Sequence, residues 1–208
     1  MGGLAAYTDD VVSLCQVAGY DFIIIETVGL GQSEIEVKES VDLLMLMVPP
    51  GGGDDLQGIK KGIVEVSDMI CVTKADGKFL QAAKRTAVDY SGALRMMPRT
   101  GLVNLPGWET PPVVLVSSQD GTGIEHIWSK ICQFRRLMIE TGEFERKREQ
   151  QAHYWMWKNV HNLILAQTQN NPHLKKKAEQ LERLLVQGKT TPRVAATELV
   201  ESLVKIGP

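Results

Sequence analysis

Three short stretches place reactive side chains directly behind an apolar run. In DFIIIETVGLGQSE, residues 21–34, the run ends on Glu26, and Gly29 and Gly31 follow. A carboxylate there can order the water shell of a magnesium ion. A glycine amide close behind can meet a terminal phosphate. Gln32 and Glu34 complete the turn, and the acid at position 34 rules out the third glycine of a dinucleotide fingerprint. In ICVTKAD, residues 70–76, the run delivers Thr73, Lys74 and Asp76. An Asp so placed can accept hydrogen bonds from N1–H and the exocyclic amine of guanine, while the Lys stem lies over the ring. Adenine offers no such donor pair, so the wrong base leaves buried groups unpaired. In LVSSQDGTGIEHIW, residues 115–128, the run ends on Ser117, Ser118 and Gln119, and Gly121 and Gly123 open a helix.

Each stretch alone is also what an ordinary strand-end turn looks like. A fourth, VPPGGGDDLQGIKKGI at 48–63, has two prolines to stop a strand and three glycines for a loop. Asp54, Asp55, Gln57, Lys60 and Lys61 then lead into a helix. Such a loop can order on a ligand or partner, or simply connect two elements.

The elements that must hold these residues follow from periodicity. Apolar runs at 22–25, 43–48, 69–72 and 113–116 are short and do not alternate, as expected of strands buried on both faces. Helical patterns lie between and around them, at 8–19, 56–66, 78–96 and 123–140. The first would pack a face of Val11, Leu14, Cys15 and Ala18. This alternation predicts a parallel sheet with helices on both faces, and ligands at the carboxyl ends of its strands. After Gly142 three helical patterns follow, the second opened by Asn171-Pro172 and the third by Thr191-Pro192. They predict an all-α extension that packs on the first domain or on a partner subunit.

Composition narrows the class. Net charge is −2 over 208 residues, which favours neither nucleic acid nor a membrane surface as partner. Residues 1–142 carry 18 acids against 12 bases, and residues 143–208 carry 7 against 11, so the two parts present different surfaces. Cys15, Cys71 and Cys132 are too far apart for a metal motif, and they read as small buried hydrophobes in a reducing compartment. His153 and His161 carry no metal spacing, and the aromatic residues of HYWMW read as packing.

The stretches ETVGLGQSE, VPPGGGDDLQGIKKGI, VTKAD, SSQDGTGI and YWMW together resemble the methylmalonic aciduria type A family, over essentially the whole chain. These are G-protein chaperones of adenosylcobalamin-dependent methylmalonyl-CoA mutase. The resemblance implies a P-loop NTPase-like α/β fold, with a partial GTPase domain at 1–142 and a helical dimerisation arm at 143–208. It implies GTP/GDP and Mg²⁺ as cofactors, GTP hydrolysis that gates cobalamin delivery and protects the mutase, and a homodimer. The compartment implied is the mitochondrial matrix in a eukaryote and the cytoplasm in a bacterium. By position, Glu26 (through water) and Gly29 would contact Mg²⁺ and the γ-phosphate, and Gln32 would be catalytic. Thr73, Lys74, Asp76, Ser117, Ser118 and Gln119 would form the guanine pocket. Gly51, Gly52, Gly53, Asp54, Asp55, Gln57, Lys60 and Lys61 would form a switch facing the mutase.

One departure is large. No G-x-x-x-x-G-K-[ST] occurs in the sequence, and Ala5-Ala6 stand where the family has Thr-Arg. The phosphate loop and its strand are expected before residue 1, in this or another polypeptide. Without them the edges of the strands at 22–25 and 43–48 would lack partners. The alternative reading is a non-hydrolysing module that dimerises and docks on the mutase.

Overall fold

The computed structural model describes residues 7–27, 34–51, 61–97 and 105–205. Its centre is a three-stranded parallel sheet of β1 (Met45–Val48), β2 (Met69–Val72) and β3 (Val113–Leu115), in the order β1-β2-β3. Met45 pairs with Met69, and Ile70 with Val113. Every residue of β2 is buried, which is why its sequence does not alternate.

Side chains of β2 divide between two cores. Ile70 and Val72 join Ile63 and Val64 of α3 (Lys61–Val66) and Ala83, Tyr90 and Leu94 of α4 (Leu80–Met96). Met69 and Cys71 point the other way, to Leu105, Trp108, and Phe134 and Met138 of α5 (Ile124–Glu140). α4 buries Ala83, Thr86, Tyr90 and Leu94, spaced three and four apart along one face. Burial raises the Cys71 thiol to about 12, so it stays protonated and inert. Cys15 and Cys132 are only half-buried, a correction to the expectation for those two.

A second correction concerns residues 22–27, which form no strand. A parallel strand exists only by pairing, and among the described residues β1 pairs on one side alone, with β2. Ile24 is 93% exposed, and Phe22 instead packs at a tilt against Trp128 of α5, with ring centroids 4.6 Å apart. α1 (Thr8–Val17) buries no residue, so its predicted apolar face stays open.

α2 (Glu34–Ser40) runs into β1. The chain divides into two compact units, residues 1–152 and 153–208. α6 (Glu143–Asn170) opens in the first and continues through the start of the second. The second unit also holds α7 (Pro172–Val186) and α8 (Pro192–Lys205). Asn171 caps α7, its side-chain oxygen accepting from the His173 and Leu174 amides, with Pro172 in the first turn. Leu174, Leu181 and Ala195 are buried, and Lys177 pairs with Glu198 across α7 and α8 at 3.2 Å. Among the described residues no helix is long and apolar enough to cross a membrane.

Candidate functional site

The carboxyl ends of β2 and β3 bring two of the sequence stretches into contact. Ser117, fully buried one residue past Val116, donates its hydroxyl proton to Asp76 Oδ2 at 2.6 Å. The direction of that bond is fixed by what else Ser117 Oγ does. It accepts from the Gln119 amide at 3.1 Å and lies 3.4 Å from the Asp120 amide, so its proton is free for the carboxylate. A hydroxyl-to-carboxylate bond of this length is charge-assisted, and it aims the half-buried Asp76 carboxylate while leaving its other oxygen available.

Between β2 and Asp76 the backbone is strained in a controlled way. Lys74 has φ 53°, the only left-handed residue other than glycine among those described. Such a conformation costs about 1 kcal/mol and persists only where neighbours impose it. Here they do. The Thr73 amide donates to the Val48 carbonyl at 2.8 Å, joined by the Thr73 hydroxyl at 3.2 Å. The Ala75 amide donates to the Val116 carbonyl at 2.9 Å. The turn is thus pinned to β1 on one side and β3 on the other, and Lys74 between the pins is exposed.

The third stretch closes on itself. The Ser117 amide donates to the Thr122 carbonyl and the Thr122 amide donates to Asp120 Oδ1, both at 2.9 Å. The Thr122 amide first, then its hydroxyl, hold the Asp120 carboxyl below the usual range. Ser118 and Gln119 are exposed on the rim.

At the root of the fourth stretch, the Gly51 amide donates to Thr86 Oγ1 of α4 at 3.0 Å. Gly51 (φ 85°) is where the chain leaves the sheet. Lys61 opens α3. Gly52, Gly53, Asp54, Asp55, Gln57 and Lys60 lie outside the described residues, as do Gly29 and Gln32. Glu26 is described and exposed. Of the residues expected to read the base, Asp76 and Ser117 are thus in contact, and of those expected near the phosphates only Glu26 is among the described residues. Among the described residues no three His, Cys, Asp or Glu side chains converge as a metal site. A single exposed carboxylate suits a hydrated magnesium ion held through its water shell, not a caged one.

The sequence places Ser117 at a strand end beside the expected guanine pocket but does not show that its hydroxyl orients Asp76. The type of residue could have suggested it, since a serine ending a buried strand must spend its hydroxyl on a nearby acceptor.

The fold is that of a P-loop NTPase-like α/β sheet. A solved structure titled LAO/AO transport system kinase shares it, with a TM-score of 0.66 at 29% identity, covering 93% of this chain and 61% of that one. Residues 1–173 match the family described as methylmalonyl-CoA mutase-associated GTPase MeaB, and the chain belongs to that family. Among relatives, the mitochondrial methylmalonic aciduria type A homolog of Mus musculus is 37% identical over 97% of this chain and 48% of its own length. A probable GTPase of Mycobacterium tuberculosis is 38% identical over 97% of this chain and 58% of its own length. The GTPase ArgK of Escherichia coli is 33% identical over 97% and 59%. The chain spans about half the length of the curated relatives it matches.

Proposed function

We propose that this chain carries the guanine-selecting part of a GTPase that serves methylmalonyl-CoA mutase, gating adenosylcobalamin delivery and protecting the enzyme. The observation that supports this most is the Asp76 carboxylate, aimed by the buried Ser117 hydroxyl at the carboxyl edge of the sheet. Its position beside the strained Lys74 gives one acceptor for the guanine donor pair and one aliphatic stem for the ring. Thr73, Ser118 and Gln119 would edge the bound base.

Glu26 would hold a hydrated Mg²⁺ through water, with the Gly29 amide at the γ-phosphate and Gln32 placing the attacking water. The ion, when bound, neutralises charge developing on the phosphates. Gly51 to Lys61 would be the segment that answers to the mutase.

A second reading concerns residues 143–208. Met156, Trp157, Leu163 and Ile164 of α6 are 51%, 57%, 63% and 40% exposed. Their spacing of one, seven and eight residues from Met156 lays them along one side of a helix, a stripe that favours a protein partner over water. A second copy of the arm is the partner proposed.

Calorimetry tests the nucleotide reading, on this 208-residue chain and on one extended upstream to include a phosphate loop. GTP-analogue binding by the extended chain, at micromolar affinity and lost roughly 100-fold or more in Asp76→Ala, is the expected result. Preference for ATP by that chain would overturn the base-site assignment. Binding of the mutase by the 208-residue chain with no nucleotide present would favour the module that docks without hydrolysis.

A further inference from the structure

Charge is buried at the end of the sheet opposite Asp76. Lys38, Asp68, Lys147 and Gln151 are each 7% exposed or less, an unusual set for one small cluster. Lys38, in the last turn of α2, pairs with Asp68, the residue before β2. The second oxygen of Asp68 accepts from the Leu44 amide at 2.8 Å, where β1 begins. Asp42, in the link from α2 to β1, does the same for α6. Its carbonyl accepts from Lys147 Nζ at 2.8 Å, and its Oδ2 from Arg148 Nη2 at 2.7 Å. The Arg148 guanidinium also lies over the Phe144 ring, 5.1 Å from its centre.

Such groups are poor devices for stability alone. Apolar side chains of similar volume would commonly serve as well or better, because desolvation offsets most of the attraction. What fixed charges add is register. A purely apolar contact at this end of the sheet could slide, whereas a slide here would strip Lys38 or Lys147 of its partner inside the protein. Losing one partner of a buried pair leaves an uncompensated charge inside the protein, which is strongly unfavourable. α2 begins at Glu34, immediately after the stretch that holds Gly29, Gly31 and Gln32.

We propose that Lys38–Asp68 and Asp42–Lys147–Arg148 form a latch that transmits displacement between α2 and the root of α6, residues 143–151. The latch stands on these contacts alone and requires no nucleotide, so it can fail while the base site holds, and the reverse.

Hydrogen–deuterium exchange on the 208-residue chain tests it. Lys147→Met, on α6, should speed amide exchange in residues 36–44 roughly tenfold, and Lys38→Met, on α2, should do the same to 143–151. α7 should be unchanged in both. Loosening confined to the substituted helix overturns the latch. So does uniform acceleration across residues 7–152, which marks general destabilisation. If either methionine variant does not fold, Arg148→Gln, at a half-exposed side chain, is judged by the same two criteria on residues 36–44.

Discussion

At Gly123 the backbone has φ 80°, and a Cβ built there would lie 2.0 Å from the Leu115 carbonyl oxygen. Gly121, two residues earlier with φ 78°, has open space around the same position. The two glycines therefore do different work, although the sequence presents them alike. Gly121→Ala should cost about 1 kcal/mol, the penalty of a left-handed alanine. Gly123→Ala should cost roughly 3 kcal/mol or more, because β3 or the turn must move. Thermal unfolding of the two variants distinguishes them, and equal losses would refute the assignment. The larger displacement also reaches Ser117, whose amide is bound to the Thr122 carbonyl, so Gly123→Ala should weaken guanine-nucleotide binding as well.

Among the elements, the root of α6 carries an acid–base signature of its own. Lys147 is lowered to about 8, by burial first and by Lys38 next, against the pull of Asp68, Asp42 and Glu39. In the unfolded chain it returns to the ordinary value of 10.5. From pH 8 upward the unfolded state then holds the extra proton, so stability rises with pH. Cys71 acts in the opposite sense above its ordinary value of 9.0, where the folded state keeps a proton that the unfolded state loses. The rise should therefore show between about pH 8 and 9 and flatten beyond, with a slope on the order of 1 kcal/mol per pH unit at most. Urea unfolding of the wild type and of Lys147→Met over that range measures it. The variant should lack the rise that the wild type shows, and parallel curves would count against a depressed Lys147.

The elements most legible in the sequence are those that the sheet core buries. β2 and α4 matched expectation closely, because both faces of β2 and one face of α4 meet residues inside the described core. Residues 22–25 read as a strand and α1 as a packed helix, yet among the described residues the first joins no ladder and the second buries no side chain, since composition records a need for burial and not its fulfilment. The Asp76–Ser117 contact was half legible: both residue types stood at strand ends, but the bond joins positions 41 apart and comes from the order β1-β2-β3. The latch was not legible at all. Asp42 and Lys147 are 105 residues apart, and each alone looks like a solvated charge.

For the whole molecule, the exposed apolar stripe on α6 is where the proposed pairing of two arms is tested. If the arm pairs with a second copy, Trp157→Glu and Leu163→Glu should each shift the chain from dimer towards monomer, weakening association roughly 100-fold or more for a buried hot spot. Light scattering on a sizing column over a concentration series reads the mass directly. An unchanged mass in both variants would place any partner surface elsewhere. The family and the fold are established for this chain by its relatives.

Of the four tryptophans, Trp108 is the buried one, 5% exposed, and its indole nitrogen donates to the Asp68 carbonyl at 3.1 Å. Phe134 meets it edge-on at 5.3 Å and the Lys130 ammonium stands 5.9 Å from its ring. The molecule thus contains a native fluorophore seated on the residue that anchors Lys38. Trp128 and Trp157 lie open to a dissolved quencher such as iodide, and Trp155 partly so. The emission that survives quenching comes chiefly from Trp108, giving an optical view of the sheet entrance with no label added.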